Sequence, residues 1–202
     1  MNTQIVLYDG FDELDAVAPY EVLVAASKRG APFKVALAHL EGPREITGSQ
    51  GLVVRATEAL AATLDLLIVP GGRWADRSSA IGARVEAERG ALPHAIERLH
   101  AGGATIASVC TGAMLLAAAG LTRGRHATTH HVAREALRAS GALLVDARVV
   151  DDGELITAGG VTSGLDLGLW LVEREAGVEL ARQIEHHLEY ERRGPVWRRP
   201  RD

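Results

Sequence analysis

The sequence predicts an α/β fold: a mostly parallel sheet with helices on both faces. Short apolar runs alternate with longer amphipathic ones along the whole chain, the pattern of strand–helix–strand units. The short runs read as buried strands, and several of the longer patterns end on glycine, the expected residue just past a helix C-terminus.

Taken in order, "QIVLY" (4–8), "FKVALA" (33–38), "LDLLIVP" (64–70) and "ATIASV" (104–109) are the predicted strands. The helical patterns are "VAPYEVLVAASKRG", "RVEAERGALPHAIERLHAGG", "GAMLLAAAG" and "HVAREALRASG". "RVVDDG" and "LITAG" form a hairpin arm about Asp152-Gly153, and two further helices over 163–176 and 178–191 complete the fold. No repeat, linker or composition break divides residues 1–202, so the expectation is a single domain. From residue 192 the sequence "RRGPVWRRPRD" is basic and rich in helix breakers, and is expected to be an exposed tail.

Composition bounds the function. The length suits one domain with a full core. Apolar residues at 47% and charged residues at 24% are ordinary for a soluble globular protein. A net charge of -4 calls for neither nucleic acid nor membrane as a partner. The opening "MNTQIVLYDG" lacks a basic region followed by a long apolar run, which argues against a signal peptide, and no run reaches bilayer length. One cysteine allows no intrachain disulfide and fits a reducing cytoplasm. The expected setting is therefore cytoplasmic.

In parallel sheets, ligands bind beyond the carboxyl ends of the strands. Three breaks in the pattern fall there: "DGFDELDAVAP", "PGGRW" and "CTGA". Cys110, the only cysteine, falls in the turn between the strand "ATIASV" and the helix "GAMLLAAAG". There its sulfur lies by the free N–H groups of the helix start, a setting that favours thiolate, and Gly112 removes a Cβ from the cramped turn. The layout is that of the nucleophile elbow of hydrolases with cysteine in place of serine. The alternative is a small buried hydrophobe, the common fate of a free cysteine.

Gly71 and Gly72 end a neighbouring strand, where their N–H groups can face an anion forming beside the sulfur, as an oxyanion hole requires. A plain strand-to-loop turn is the other reading. Asp15 falls at or just before a helix start, since Pro19 suits a first helical turn. It is either an N-cap or a carboxyl group set across from the sulfur.

Together these elements resemble the ThiJ/PfpI family of the class I glutamine amidotransferase-like superfamily, over roughly residues 4 to 190, and within it the isonitrile hydratase branch. "DAVAPYEVL", "LLIVPGG", "SVCTGAMLLAAAGLTRGRHATTHH" and "LITAGGVTSGLDLGL" are similar to that branch's blocks, in the same order. The resemblance implies a flavodoxin-like three-layer sandwich, a homodimer, a nucleophilic Cys110, and Asp15 near the thiol where many relatives carry glutamate. The implied reaction adds water to an isonitrile to give an N-substituted formamide, with Thr111 supplying a backbone N–H and a hydroxyl. It implies no metal and no organic cofactor. The candidate catalytic residues are thus Cys110, Asp15 and Thr111; the candidate substrate contacts are Gly71, Gly72, Trp74 and His130.

The sequence also departs from its relatives. Thr111 stands where protease-like and deglycase-like branches often place histidine. His131 stands where the hydratase branch usually has tryptophan, and Arg73 and Trp74 replace smaller residues. His186 and His187 show no metal-ligand spacing, and Asp166 is assigned to packing. Two other functions compete: a redox sensor working through an oxidisable thiolate, and the ligand-sensing half of a transcription regulator, for which the chain leaves no room after its last helix.

Overall fold

The computed structural model describes residues 1–200. The chain begins with strand β1 (Asn2–Leu7), helix α1 (Glu13–Ser27) and strand β2 (Lys34–His39). A two-stranded antiparallel ribbon, β3 (Arg44–Thr47) and β4 (Val53–Ala56), and the short β5 (Glu58–Ala59) lead into β6 (Leu66–Val69). Helices α2 (Ala83–Arg89) and α3 (Ala91–Ala101) precede β7 (Thr105–Val109), which turns through Cys110–Gly112 into α4 (Ala113–Ala118). Next come β8 (His126–Ala127), α5 (Arg134–Ala139) and β9 (Leu143–Leu144). Strands β10 (Val149–Asp151) and β11 (Leu155–Ala158), helices α6 (Ser163–Ala176) and α7 (Val178–Leu188), and β12 (Trp197–Arg198) complete it.

The main sheet has eight strands in the order β12-β10-β11-β7-β6-β1-β2-β5. Every neighbouring pair is parallel except β10–β11, the hairpin read from the sequence. Helices α1, α6 and α7 pack together as one layer and α2 to α5 as the other. This is the three-layer, flavodoxin-like sandwich expected. Strand β6 ("LLIV") is buried at every residue, because a central parallel strand is covered on both faces. Among the described residues no helix is long and apolar enough to cross a membrane.

Three local expectations change. The helix read over 84–103 is two helices, because Gly90 adopts a left-handed φ of 79° and ends α2 where α3 begins. Helix α1 starts at Glu13, well before Pro19, and its N-cap is Asp12, whose side chain accepts from the Leu14 N–H. Such a cap contributes about 1 kcal/mol, and it leaves Asp15 inside the first turn and free of capping.

The third change is the tail. Most of its residues are exposed, but it folds back instead of hanging free. Trp197 and Arg198 pair with Val150 and Asp151 and extend the sheet edge. Arg192 bonds Glu173 and Glu185, and the Arg193 N–H donates to Asp166. Carboxylates on α6 and α7 supply the partners that composition alone cannot reveal. Residues 201–202, the end of that tail, lie outside the described residues.

Candidate active site

The ends of β1, β6 and β7 and the first turn of α1 converge on Cys110. Its φ is 56°, and among the described residues it is one of three non-glycine positions on the left-handed side of φ. Holding a residue with a Cβ there costs of order 1–3 kcal/mol and persists only where the surroundings enforce it. Glycines do the enforcing. A Cβ on Gly112 would lie 2.2 Å from the Val69 carbonyl oxygen, and one on Gly71 would lie 2.4 Å from Thr111 Oγ1. The turn after β7 is thus pressed directly onto the end of β6, and only glycine permits the approach.

Asp15 is 0% exposed and Cys110 is 5% exposed. Asp15 Oδ2 accepts from the Gly71 N–H at 2.9 Å, while its Oδ1 is buried without a hydrogen-bond partner. Burial, with Asp12 adding negative charge, pushes the Asp15 carboxyl well above the usual carboxylate range. The Cys110 thiol is pushed up as well, by burial first and then by the Asp15 charge, against a smaller lowering from the Thr111 N–H. This corrects the expected thiolate. The helix after the turn is only six residues long, and its dipole does not offset desolvation beside a carboxyl group. Both groups are shifted toward their protonated forms.

The two N–H groups assigned to an oxyanion hole are also already engaged. Gly71 N–H holds Asp15, and Gly72 N–H donates to Thr111 Oγ1 at 3.0 Å. The glycine pair positions the carboxyl and the threonine around the sulfur rather than presenting open donors to an anion. Thr111 is buried, with its hydroxyl as the acceptor of that bond.

His130 lies close by through its neighbour: Thr129 Oγ1 donates to the Cys110 carbonyl at 2.8 Å. Its Nδ1 accepts from the Val132 N–H, and burial and His131 lower its pKa. Trp74 is partly buried. It is wedged between the main core and the small apolar cluster around Met114, with the Arg84 guanidinium 4.5 Å above its ring. Asp166 serves packing, accepting from Arg148 and Tyr190.

Two residues of the site were not singled out from the sequence. Tyr8, at the end of β1, is buried and donates its hydroxyl to the Pro70 carbonyl at 2.7 Å, fixing the strand end that carries Gly71. A polar aromatic closing an otherwise apolar strand was the available signal. Thr129 had no separate signal beyond its place in "TTHH".

A single thiol at a strained strand-to-helix turn, beside a buried carboxyl at a strand end, defines a cysteine-site α/β domain. The chain belongs to the DJ-1/PfpI family, whose model matches residues 2–174. It is 35% identical over 187 residues to an isonitrile hydratase of Pseudomonas putida, covering 92% of this chain and 76% of that one. It is 29% identical over 170 residues to a deglycase of Pyrococcus abyssi, covering 78% and 89%. Among solved structures, a ThiJ/PfpI family protein of Pseudomonas syringae superposes with a TM-score of 0.83 at 29% identity, over 96% of this chain and 76% of that chain.

Proposed function

We propose that this protein is a cysteine-dependent hydratase that converts a small isonitrile, R–N≡C, into an N-substituted formamide. The observation that carries the reading is the Asp15–Cys110 pair: a carboxyl buried at the Gly71 N–H and the only thiol, both pushed toward the protonated form by burial. Hydrating an isonitrile needs a proton and a nucleophile delivered to the same carbon, and this pair has one of each. The likeness to a protein named isonitrile hydratase supports the same choice.

In the first half, Asp15 protonates the terminal carbon through that carbon's lone pair as the Cys110 sulfur bonds to it. The thiol proton passes to the Asp15 carboxylate, and the product is the thioimidate R–N=CH–S–Cys, with every atom retained. In the second half, water adds across the C=N bond as Asp15 takes a proton from it and nitrogen gains one. The C–S bond then breaks, the sulfur regains a proton, and R–NH–CHO leaves. One water is consumed overall, and the scheme balances without a metal or organic cofactor. A single acid–base group serves both halves. Gly71 aims the carboxyl, and the Thr111 N–H supports negative charge on sulfur as the S–H bond opens. The sensor reading is less well supported, because it needs an exposed thiolate.

We further propose a homodimer working in the cytoplasm. Leu14 and Val17 on α1 and Leu52 and Val53 on the ribbon are exposed, and Glu13 ties the two elements together through the Gln50 and Leu52 N–H groups. Together they offer an apolar face that a second copy can cover.

The test is a turnover screen of small isonitriles, amides and α-oxoaldehydes with products identified by mass. Formamides one water heavier than their isonitriles are expected. Turnover confined to amides or α-oxoaldehydes would overturn the hydratase reading.

A further inference from the structure

Beside the thiol site, two shielded donors have no partner. Ser163 opens α6, is 0% exposed, and its Oγ makes no hydrogen bond. Arg134 Nε is also buried and unpartnered, although the same guanidinium reaches Asp146 through Nη2. Both residues line one open cavity of about 340 Å³, with Thr129, His130, Asp146 and Arg148 also in its wall. A buried donor left without an acceptor is destabilising, more so on a charged group, so native structures seldom leave one idle. Here two such residues, on different helices, line one space.

The charges around the cavity select what fits. Arg148 spends Nε and Nη2 on Asp166 and Thr162. Arg134 is paired with Asp146 and Arg148 with Asp166, so the side-chain charges balance, and the bias toward an anion comes from the two unpartnered donors together with the partial positive end of the first turn of α6. Asp146 also opposes a dianion. One negative charge with two acceptor oxygens matches the two idle donors, and a carboxylate has that form. The cavity adjoins the Cys110 turn: Thr129 lines it and also holds the Cys110 carbonyl.

We propose that this cavity binds a carboxylate carried by the substrate, so that the substrate class is a carboxylate-bearing C–N compound rather than a neutral hydrocarbon isonitrile. The identity of the reacting end rests on the hydratase reading; the carboxylate subsite does not.

The experiment compares 3-isocyanopropanoate with its methyl ester as substrates for the wild type, Ser163→Ala and Arg134→Met. Arg192→Ala, at the distant tail, serves as a control. The expected result is a kcat/KM for the acid about tenfold or more above the ester, the scale of one hydrogen bond to a charged group. That ratio should collapse toward one in Ser163→Ala and Arg134→Met and persist in Arg192→Ala. A wild-type ratio near one, or a ratio that survives both substitutions, overturns the subsite.

Calorimetric binding of N-formyl-β-alanine against its methyl ester keeps the two readings apart. If neither isonitrile is turned over but the acid still binds more tightly, and loses that advantage in both variants, the subsite stands and the hydratase reading fails. Equal binding of acid and ester by the wild type overturns the subsite whatever the turnover.

Discussion

The cysteine corner and the carboxyl-terminal sheet edge both bury aspartates, and they treat them in opposite ways. At the edge, Asp151 accepts from Trp170 Nε1 and lies 3.2 Å from Arg174, Asp152 is paired with Arg125, and Asp166 with Arg148. At the corner, Asp15 is buried as deeply and has no cation; its one firm partner is the Gly71 N–H. The edge carboxylates each have an arginine partner, whereas the corner carboxyl has none and burial raises its pKa. The same residue type thus becomes a fastening in one place and an exchangeable acid in the other. What differs is the supply of arginine, not the burial.

The sharpest way to break this contrast is to disable the corner. Asp15→Asn keeps the shape and the bond from Gly71 but cannot exchange a proton, so the isonitrile hydration rate should fall about a hundred- to ten-thousand-fold. Cys110→Ser should abolish turnover while leaving the fold intact. Stopped assays on purified variants check both, and full activity in either would remove the pair from the mechanism.

Stability should move in opposite directions in the two regions. Asp166→Ala leaves Arg148 facing a buried site without its carboxylate, and removing one member of such a pair costs about 3–5 kcal/mol. Asp15→Asn should instead stabilise the fold at neutral and alkaline pH. The sign follows from linkage. Because the folded pKa of Asp15 is raised, its contribution is fully present below the unfolded pKa of about 3.9 and is lost as pH rises through the folded value. Asparagine abolishes that loss. Melting temperatures measured from acid to alkaline pH should show wild type and variant diverging as pH rises. Each kcal/mol recovered should appear as about 2–4 °C, and parallel curves would show Asp15 to be ionised in the fold.

Thiol alkylation against pH sharpens the same point. Its midpoint should lie above the free cysteine value of about 8.5, in keeping with burial of Cys110 beside Asp15, and should move down in Asp15→Asn once the negative charge is gone. A midpoint below the free value would restore the thiolate expected from the helix start. The smallest effect is expected at the tail, where Arg192→Ala removes two partly exposed pairs and leaves both carboxylates open to water, at about 0–1 kcal/mol each. Chemical denaturation should barely register it.

Much of the fold was legible because the signals are local. Unbroken apolar runs such as "LLIV" are buried on both faces wherever they fall in a parallel sheet, and Asp152-Gly153 turns a hairpin on its own chemistry. The lone cysteine between a strand and a glycine-bearing turn likewise marked its corner before any coordinates. The two-residue strand β12 was not legible, since so short a segment becomes a strand only through pairing with β10.

The sequence by itself determined the order of the elements, the parallel sheet and the place of Cys110 at a strand end, because each follows from periodicity and backbone preference within a few residues. Only the tertiary structure decided that Asp12 and not Asp15 caps α1, that Gly71 and Gly72 grip Asp15 and Thr111, and that burial pushes the thiol pKa up rather than down. Those outcomes depend on desolvation and on hydrogen bonds between residues as much as 56 positions apart. Both are properties of the packed site, and no local stretch of sequence carries them.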